Sequence, residues 1–257
     1  MCGRWARADH GSAVVSQIYQ GCGDAAYAGG VLCRMRVIRL PGHPAYWWLL
    51  LLVVHLAMAR EGLFTELLVD NFRVRYGQPA TERLLSWEQL MLTNINTDTG
   101  TKLNRVNDFF NRFEWLTDQE IWGSRDYWAT PLEMIGVDAG DCEDYSIAKY
   151  ISLLKMGVDQ KKLRITYVRA RRLRQTHMVL AYYSSPDADP LILDNLNQRI
   201  LPASQRGDLT PVYSFNTSGL WAVGAPGKAR RVGGAARLAA WRAVSRRMQQ
   251  EGFSDRG

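Results

Sequence analysis

Residues 140–157 read Gly-Asp-Cys-Glu-Asp-Tyr-Ser-Ile-Ala-Lys-Tyr-Ile-Ser-Leu-Leu-Lys-Met-Gly. Ile147, Ala148, Ile151 and Leu154 recur at helical spacing, and Gly157 is placed to end the helix in the left-handed conformation. The pattern predicts a helix over Asp141–Met156 with Cys142 in its first turn. Helix N–H groups and the macrodipole favour a thiolate there, and the thiolate is the form that attacks. Asp141, Glu143 and Asp144 act in the opposite sense, because three carboxylates raise a thiol pKa by repulsion. A cation is the natural group to neutralise them.

Beyond Gly157 the period changes from helical to alternating. Arg164–Ala170, His177–Tyr183 and Leu191–Asn197 read as strands, with the cluster 184–190 (Ser-Ser-Pro-Asp-Ala-Asp-Pro) turning the last two into a hairpin. Val212–Trp221 reads as a further strand. Before residue 140, segments 61–77 and 79–95 have helical pattern, separated by Gly77 and Pro79. A third amphipathic stretch follows Thr99-Gly100 and carries Leu103, Val106, Phe109, Phe110 and Phe113. Segment 115–139, rich in Trp, Asp and Gly, reads as a long structured loop. Helices followed by antiparallel strands indicate an α+β fold, with the Cys142 helix packed on the sheet.

The chain has 257 residues, 47% of them hydrophobic and 22% charged, which excludes a mainly disordered or collagen-like chain. Its net charge of +7 is unevenly spread. Residues 60–225 hold 19 basic and 21 acidic side chains, so the central body gives no support to a nucleic-acid role. Residues 226–257 hold eight Lys or Arg and two acids. Gly-Ala-Pro-Gly and Val-Gly-Gly introduce this segment as a linker would. Ala235–Gln250 then reads as a basic helix with Arg237, Arg242, Arg246 and Arg247, either solvated or suited to a membrane surface or partner.

Residues 35–59 carry the three parts of an export signal: Arg36 and Arg39, the nine-residue apolar run Tyr46–Val54, and Ala57-Met58-Ala59 before Arg60. The expected arrangement is a 1–59 leader, a 60–225 catalytic domain and a 226–257 tail. A signal counted from Met35 has normal length, so residues 1–34 read as an extension upstream of the true start. A retained membrane anchor is the alternative. Removing the leader leaves Cys142 and His177 as the sole cysteine and histidine. A lone free thiol in an oxidising compartment calls for a reason.

That reason is nucleophilic catalysis. Cys142 at a helix start, His177 on a strand and Asp194 on the next supply a nucleophile, a base and a carboxylate to orient the base. Asn195 and Asn197 are alternative orienters.

These motifs resemble a known family. Asp126-Tyr127-Trp128-Ala129-Thr130-Pro131, then 140–150, then His177-Met178-Val179-Leu180 and Leu193-Asp194-Asn195 are similar to the bacterial transglutaminase-like cysteine proteinases. The resemblance spans most of 60–221. It implies a papain-like or transglutaminase-like fold and a triad of Cys142, His177 and Asp194. It further implies calcium beside the nucleophile and a periplasmic location. The implied action is cleavage of a large surface adhesin near its N-terminus, which releases the adhesin and disperses biofilm. An inner-membrane cyclic di-GMP receptor would sequester the enzyme. Asp141, Glu143 and Asp144 are hard oxygen donors suited to Ca²⁺, with Asp126 and Asp138 as further candidates. The alternatives are a transglutaminase-like acyltransferase or amidase, and a non-catalytic calcium-binding module.

Overall fold

The computed structural model describes residues 62–171, 174–223 and 229–252, and Arg60–Gly257 forms one compact unit. The leader 1–59 lies outside the described residues. Among the described residues no helix is long and apolar enough to cross a membrane.

Helix α1 (Glu66–Asn94) is broken at Gly77, φ 83°, two residues before Pro79, where the two expected helices meet. Helix α2 (Thr99–Phe110) is capped by Asp98 and buries Leu103, Val106, Phe109 and Phe110. The stretch expected as a loop contains more structure. Strand β1 (Glu114–Trp115) pairs in parallel with β2 (Ala139–Gly140), and between them lie α3 (Asp118–Trp122) and α4 (Pro131–Val137). Both short helices start with a complete capping box, Thr117 with Glu120 and Thr130 with Glu133. Each box satisfies two N–H groups that a short helix would otherwise leave open.

Helix α5 (Cys142–Lys155) is the centre of the molecule. Ile147, Ala148, Tyr150, Ile151 and Leu153 are fully buried. Trp87 Nε1 donates to Ser152 Oγ at 2.8 Å, and Tyr145 Oη donates to Phe113 O at 2.6 Å, tying α1 and the end of α2 to α5. Gly157, φ 81°, terminates the helix as expected.

Strands β3 (Leu163–Ala170), β4 (Gln175–Tyr182), β5 (Leu191–Leu193), β6 (Leu201–Pro202), β7 (Leu209–Asn216), β8 (Gly219–Val223) and β9 (Ala229–Gly233) form one antiparallel sheet. Their order is β6-β5-β4-β3-β7-β8-β9. Ile165, Met178, Leu180 and Phe215 join the main core with α5, while Val168, Val179, Ala181 and Ile192 form a smaller cluster. The expected strand Val212–Trp221 is two strands. Asn216 Oδ1 accepts from Ser218 N, Ser218 Oγ and Gly219 N, and this turn reverses the chain.

Of the expected 226–257 tail, the described residues 229–252 do not stand apart from the domain. They supply β9 and helix α6 (Ala239–Gln250), whose Trp241, Val244 and Met248 are buried. Trp241 makes edge contacts with Tyr150 and Phe215, ring centroids 6.1 and 5.3 Å apart. The apolar face of α6 is committed to the core rather than to a membrane or partner. The whole is α+β, with N-terminal helices and the Cys142 helix packed on an antiparallel sheet.

Candidate active site

Asp141 caps α5. Its Oδ1 accepts from Glu143 N at 3.3 Å, and Asp144 Oδ2 accepts from Asp141 N at 3.2 Å. This capping box begins the helix one residue before the cysteine. Gly140 is required immediately upstream, since a Cβ there would lie 2.9 Å from Asp144 Cβ. Asp144 is buried, and its Oδ1 accepts from Ala129 N at 2.6 Å.

Cys142 is partly buried, and its Sγ donates to Glu143 Oε2 at 2.8 Å. Burial pushes the thiol pKa up. The Glu143 charge, its hydrogen bond and Asp141 push the same way, while the Met178 backbone N–H opposes them. That N–H belongs to the residue after His177, so the sulfur lies beside the histidine strand.

His177 and Asp194 are almost fully buried and meet directly, Nε2 to Oδ1 at 2.8 Å. Strand β5 ends at Leu193, which pairs with Leu180, and Asp194 turns out of the ladder to reach the ring. Asp194 is held further by Arg206, whose Nη2 donates to Oδ2 at 2.6 Å, and by Leu196 N, 3.0 Å from Oδ1. Asn111 Nδ2 donates to the Asp194 carbonyl at 2.9 Å. Burial alone would raise this carboxyl. The His177 hydrogen bond and charge and the Arg206 hydrogen bond outweigh burial and hold it at about 2.

Sequence reading did not single out Arg206. It lies after a single-turn helix twelve residues beyond Asp194, and nothing local marks it. Asn195 and Asn197 do not orient His177. Asn195 Oδ1 is buried without a partner, and Asn197 Oδ1 accepts from Arg199 N.

The structure groups the acids in two overlapping sets. Donor atoms of Asp141, Cys142 and Glu143 lie within 4.8 Å of one another, as do those of Asp118, Asp141 and Asp144. Asp118 is the ligand candidate that sequence reading missed. It is buried in the first turn of α3, with Oδ2 accepting from Tyr127 N at 2.7 Å and Oδ1 without a partner. Its legible signal was the Thr117–Glu120 capping box that places it.

Asp126 and Asp138 fall outside both sets. Asp126 is exposed, and Asp138 ends α4 and faces Arg83 at 3.5 Å. Burial, followed by Glu143 and Asp144, pushes Asp141 up to about 10, and burial also raises Asp144 and Asp118. None of the four acids has an ion-pair partner among the described residues. A compact set of carboxylate oxygens, two of its residues buried and two partly buried, with one orphan atom on Asp118, fits a hard divalent cation.

Residues 80–213 match the family model for bacterial transglutaminase-like cysteine proteinases. Six solved chains match the structure. EGTA-treated LapG of Legionella pneumophila aligns with a TM-score of 0.64 and 39% identity, over 73% of this chain and 99% of that one. Its calcium-bound form aligns with a TM-score of 0.61 and 40% identity, over 70% and 97%. No curated protein sequence matches this chain.

Proposed function

This chain belongs to the bacterial transglutaminase-like cysteine proteinases, and on that premise we propose that it is an exported, calcium-dependent cysteine endopeptidase. Its proposed substrate is a large surface adhesin, cut near the N-terminus to release it and disperse biofilm. The observation that carries the catalytic reading is the buried His177–Asp194 pair, with His177 on the strand whose Met178 N–H meets the Cys142 sulfur.

With Nε2 committed to Asp194, Nδ1 is the ring nitrogen free for the thiol. His177 takes the Cys142 proton, and the thiolate attacks the carbonyl carbon of the scissile peptide. Imidazolium returns the proton to the leaving amine, and water then hydrolyses the acyl-enzyme. Asp194, ionised down to about 2, stabilises the imidazolium throughout the useful pH range.

Asp141, Glu143 and Asp144 are the proposed calcium ligands, with Asp118 completing the buried side. Calcium bound there supplies positive charge that offsets the carboxylates around the sulfur and so lowers the cost of a thiolate. The calcium-bound and EGTA-treated forms of the Legionella protein support a calcium site in the family fold. Export through cleavage after Ala59, residence in the periplasm and sequestration by an inner-membrane cyclic di-GMP receptor complete the proposal.

The test is incubation of the protein with the N-terminal region of a large adhesin from the same organism. Cleavage by wild type and none by Cys142→Ala is the expected result. Cleavage by the variant would end the nucleophile assignment. Incorporation of an added amine in place of water would favour the acyltransferase reading.

A further inference from the structure

Segment 127–130 alternates along its length. Tyr127 N donates to Asp118 Oδ2 at 2.7 Å, and Ala129 N donates to Asp144 Oδ1 at 2.6 Å. These two amides fix two members of the acidic set. The intervening groups are held by a different partner. The Trp128 carbonyl accepts from Arg247 Nη2, and Thr130 Oγ1 donates to Glu251 Oε1 at 3.0 Å. The Arg247 guanidinium also lies over the Tyr127 ring, 4.3 Å from its centroid, and its Nε is 3.4 Å from Glu133 Oε2. Glu133 in turn accepts from Tyr127 Oη at 2.8 Å and from Thr130 N at 2.8 Å. Arg247 is in the last turn of α6, and Glu251 follows that helix. The C-terminal end of α6 and the residue after it therefore hold Tyr127, Trp128 and Thr130, in the same segment whose Tyr127 and Ala129 amides grip the acids.

We propose that α6 is a positioning element of the acidic site, with Arg247 and Glu251 clamping 127–130 in the setting that presents its amides to Asp118 and Asp144. Arg247 is a positioning residue, because it touches the loop and none of the four acids. A planar guanidinium suits this role, since it can bond a carbonyl, bond a carboxylate and stack on a ring at once, whereas an ammonium cannot. The apolar stripe Trp241, Val244 and Met248 supplies the rigid base from which the clamp acts. The consequence for calcium affinity rests on the calcium reading above. The consequence for the loop itself does not.

The experiment measures hydrogen exchange of the 127–130 amides in the whole protein in excess EGTA, together with the calcium concentration that half-saturates the thermal shift. Wild type is compared with Arg247→Ala, Arg247→Lys and, as a control from the exposed side of α6, Arg246→Ala. Arg247→Ala is expected to speed exchange at Tyr127 and Ala129 selectively and to weaken calcium about tenfold, the usual scale for losing a supporting partner of metal ligands. Arg247→Lys is expected to fall between it and wild type, and Arg246→Ala to match wild type. A folded Arg247→Ala with wild-type exchange across 127–130 overturns the proposal. Should Arg247→Ala fail to fold, Glu251→Ala removes only the Thr130 acceptor, and unchanged exchange there overturns it equally. If wild type itself shows no response to calcium, the calcium reading fails, and the exchange comparison in EGTA still decides the clamp.

Discussion

The two ends of the candidate site handle buried charge in opposite ways. At the histidine end every charge has a partner: Asp194 meets His177 and Arg206, and Arg206 also meets Asp208 at 2.9 Å. At the cysteine end four carboxylates crowd the start of α5 with no basic side chain paired to any of them among the described residues. Burial acts on both ends alike and raises the carboxyl pKa. Only the first end carries hydrogen bonds and cations strong enough to reverse it, so Asp194 sits at about 2 while Asp141 is driven to about 10. One half of the site is complete in the folded chain. The other, on the calcium reading proposed above, takes its positive charge from a bound cation.

That contrast can be broken at each end. The largest expected effect is at the acidic end: excess EGTA abolishes adhesin cleavage, and excess calcium restores it. Magnesium restores it poorly, because it demands near-ideal octahedral geometry and gives up its waters reluctantly, whereas calcium accepts an irregular carboxylate set. Undiminished cleavage after the metal is shown to be gone would reduce the acids to helix caps. At the histidine end, Asp194→Asn leaves the shape but removes the charge that orients and stabilises His177. A loss of about 10²–10⁴-fold in kcat is expected from comparable triads. Steady-state rates at saturating calcium measure it, and a loss under tenfold would leave His177 without need of Asp194.

Arg206→Leu tests whether the second cation matters to the fold. It strands one oxygen of a fully buried carboxylate, and breaking such a pair costs about 3 kcal/mol. Denaturant unfolding reads the change at pH 7. The sign of the pH dependence follows from Asp194. Its folded pKa lies below the ordinary carboxylate value, so its contribution is present above about pH 4 and is lost as the pH falls toward 2. In Arg206→Leu that acid-side loss begins at higher pH.

Much of this arrangement is legible in the amino-acid sequence alone. The Gly77–Pro79 break, the limits of α5 and the identities of β3 and β4 all follow from period and punctuation. What escapes has specific causes. Helices α3 and α4 are too short to show an apolar period, and only their capping boxes announce them. The β7–β8 turn runs through Asn216-Thr217-Ser218-Gly219, a polar turn cluster that the apolar residues on both sides hide in a single-strand reading. Helix α6 is legible as a helix. The Gly-rich approach and its arginines hide the Trp241-Val244-Met248 stripe that seats it in the core. Arg206 is joined to the site by tertiary contact alone, and the capping box that marks the Asp118 helix says nothing of its meeting with Asp141 and Asp144.

The smallest expected effect concerns a buried base between the two ends. Lys149 lies two turns along α5 from Cys142 and is fully buried. Its Nζ donates to Asn107 Oδ1 at 2.9 Å and to Asn111 Oδ1 at 2.6 Å, and Asn111 in turn holds the Asp194 carbonyl. Burial lowers its pKa to about 7, against a smaller opposing pull from Asp194 and Asp108. A neutral amine keeps two hydrogens, enough for both amide oxygens, so losing the proton costs this network no bond. In the unfolded chain Lys149 keeps its proton to about pH 10, and the folded protein releases it from about 7. Across that window the unfolded state binds more protons, so stability rises with pH, and the contribution is lost as the pH falls back through 7. Lys149→Met removes the group. Relative to the variant, wild type should gain about 1 kcal/mol between pH 7 and pH 8, since the limiting slope is about 1.4 kcal/mol per pH unit. Urea unfolding of both proteins at the two pH values provides the difference. Parallel pH profiles would mean that Lys149 keeps its charge while buried, held by the Asn107 and Asn111 oxygens.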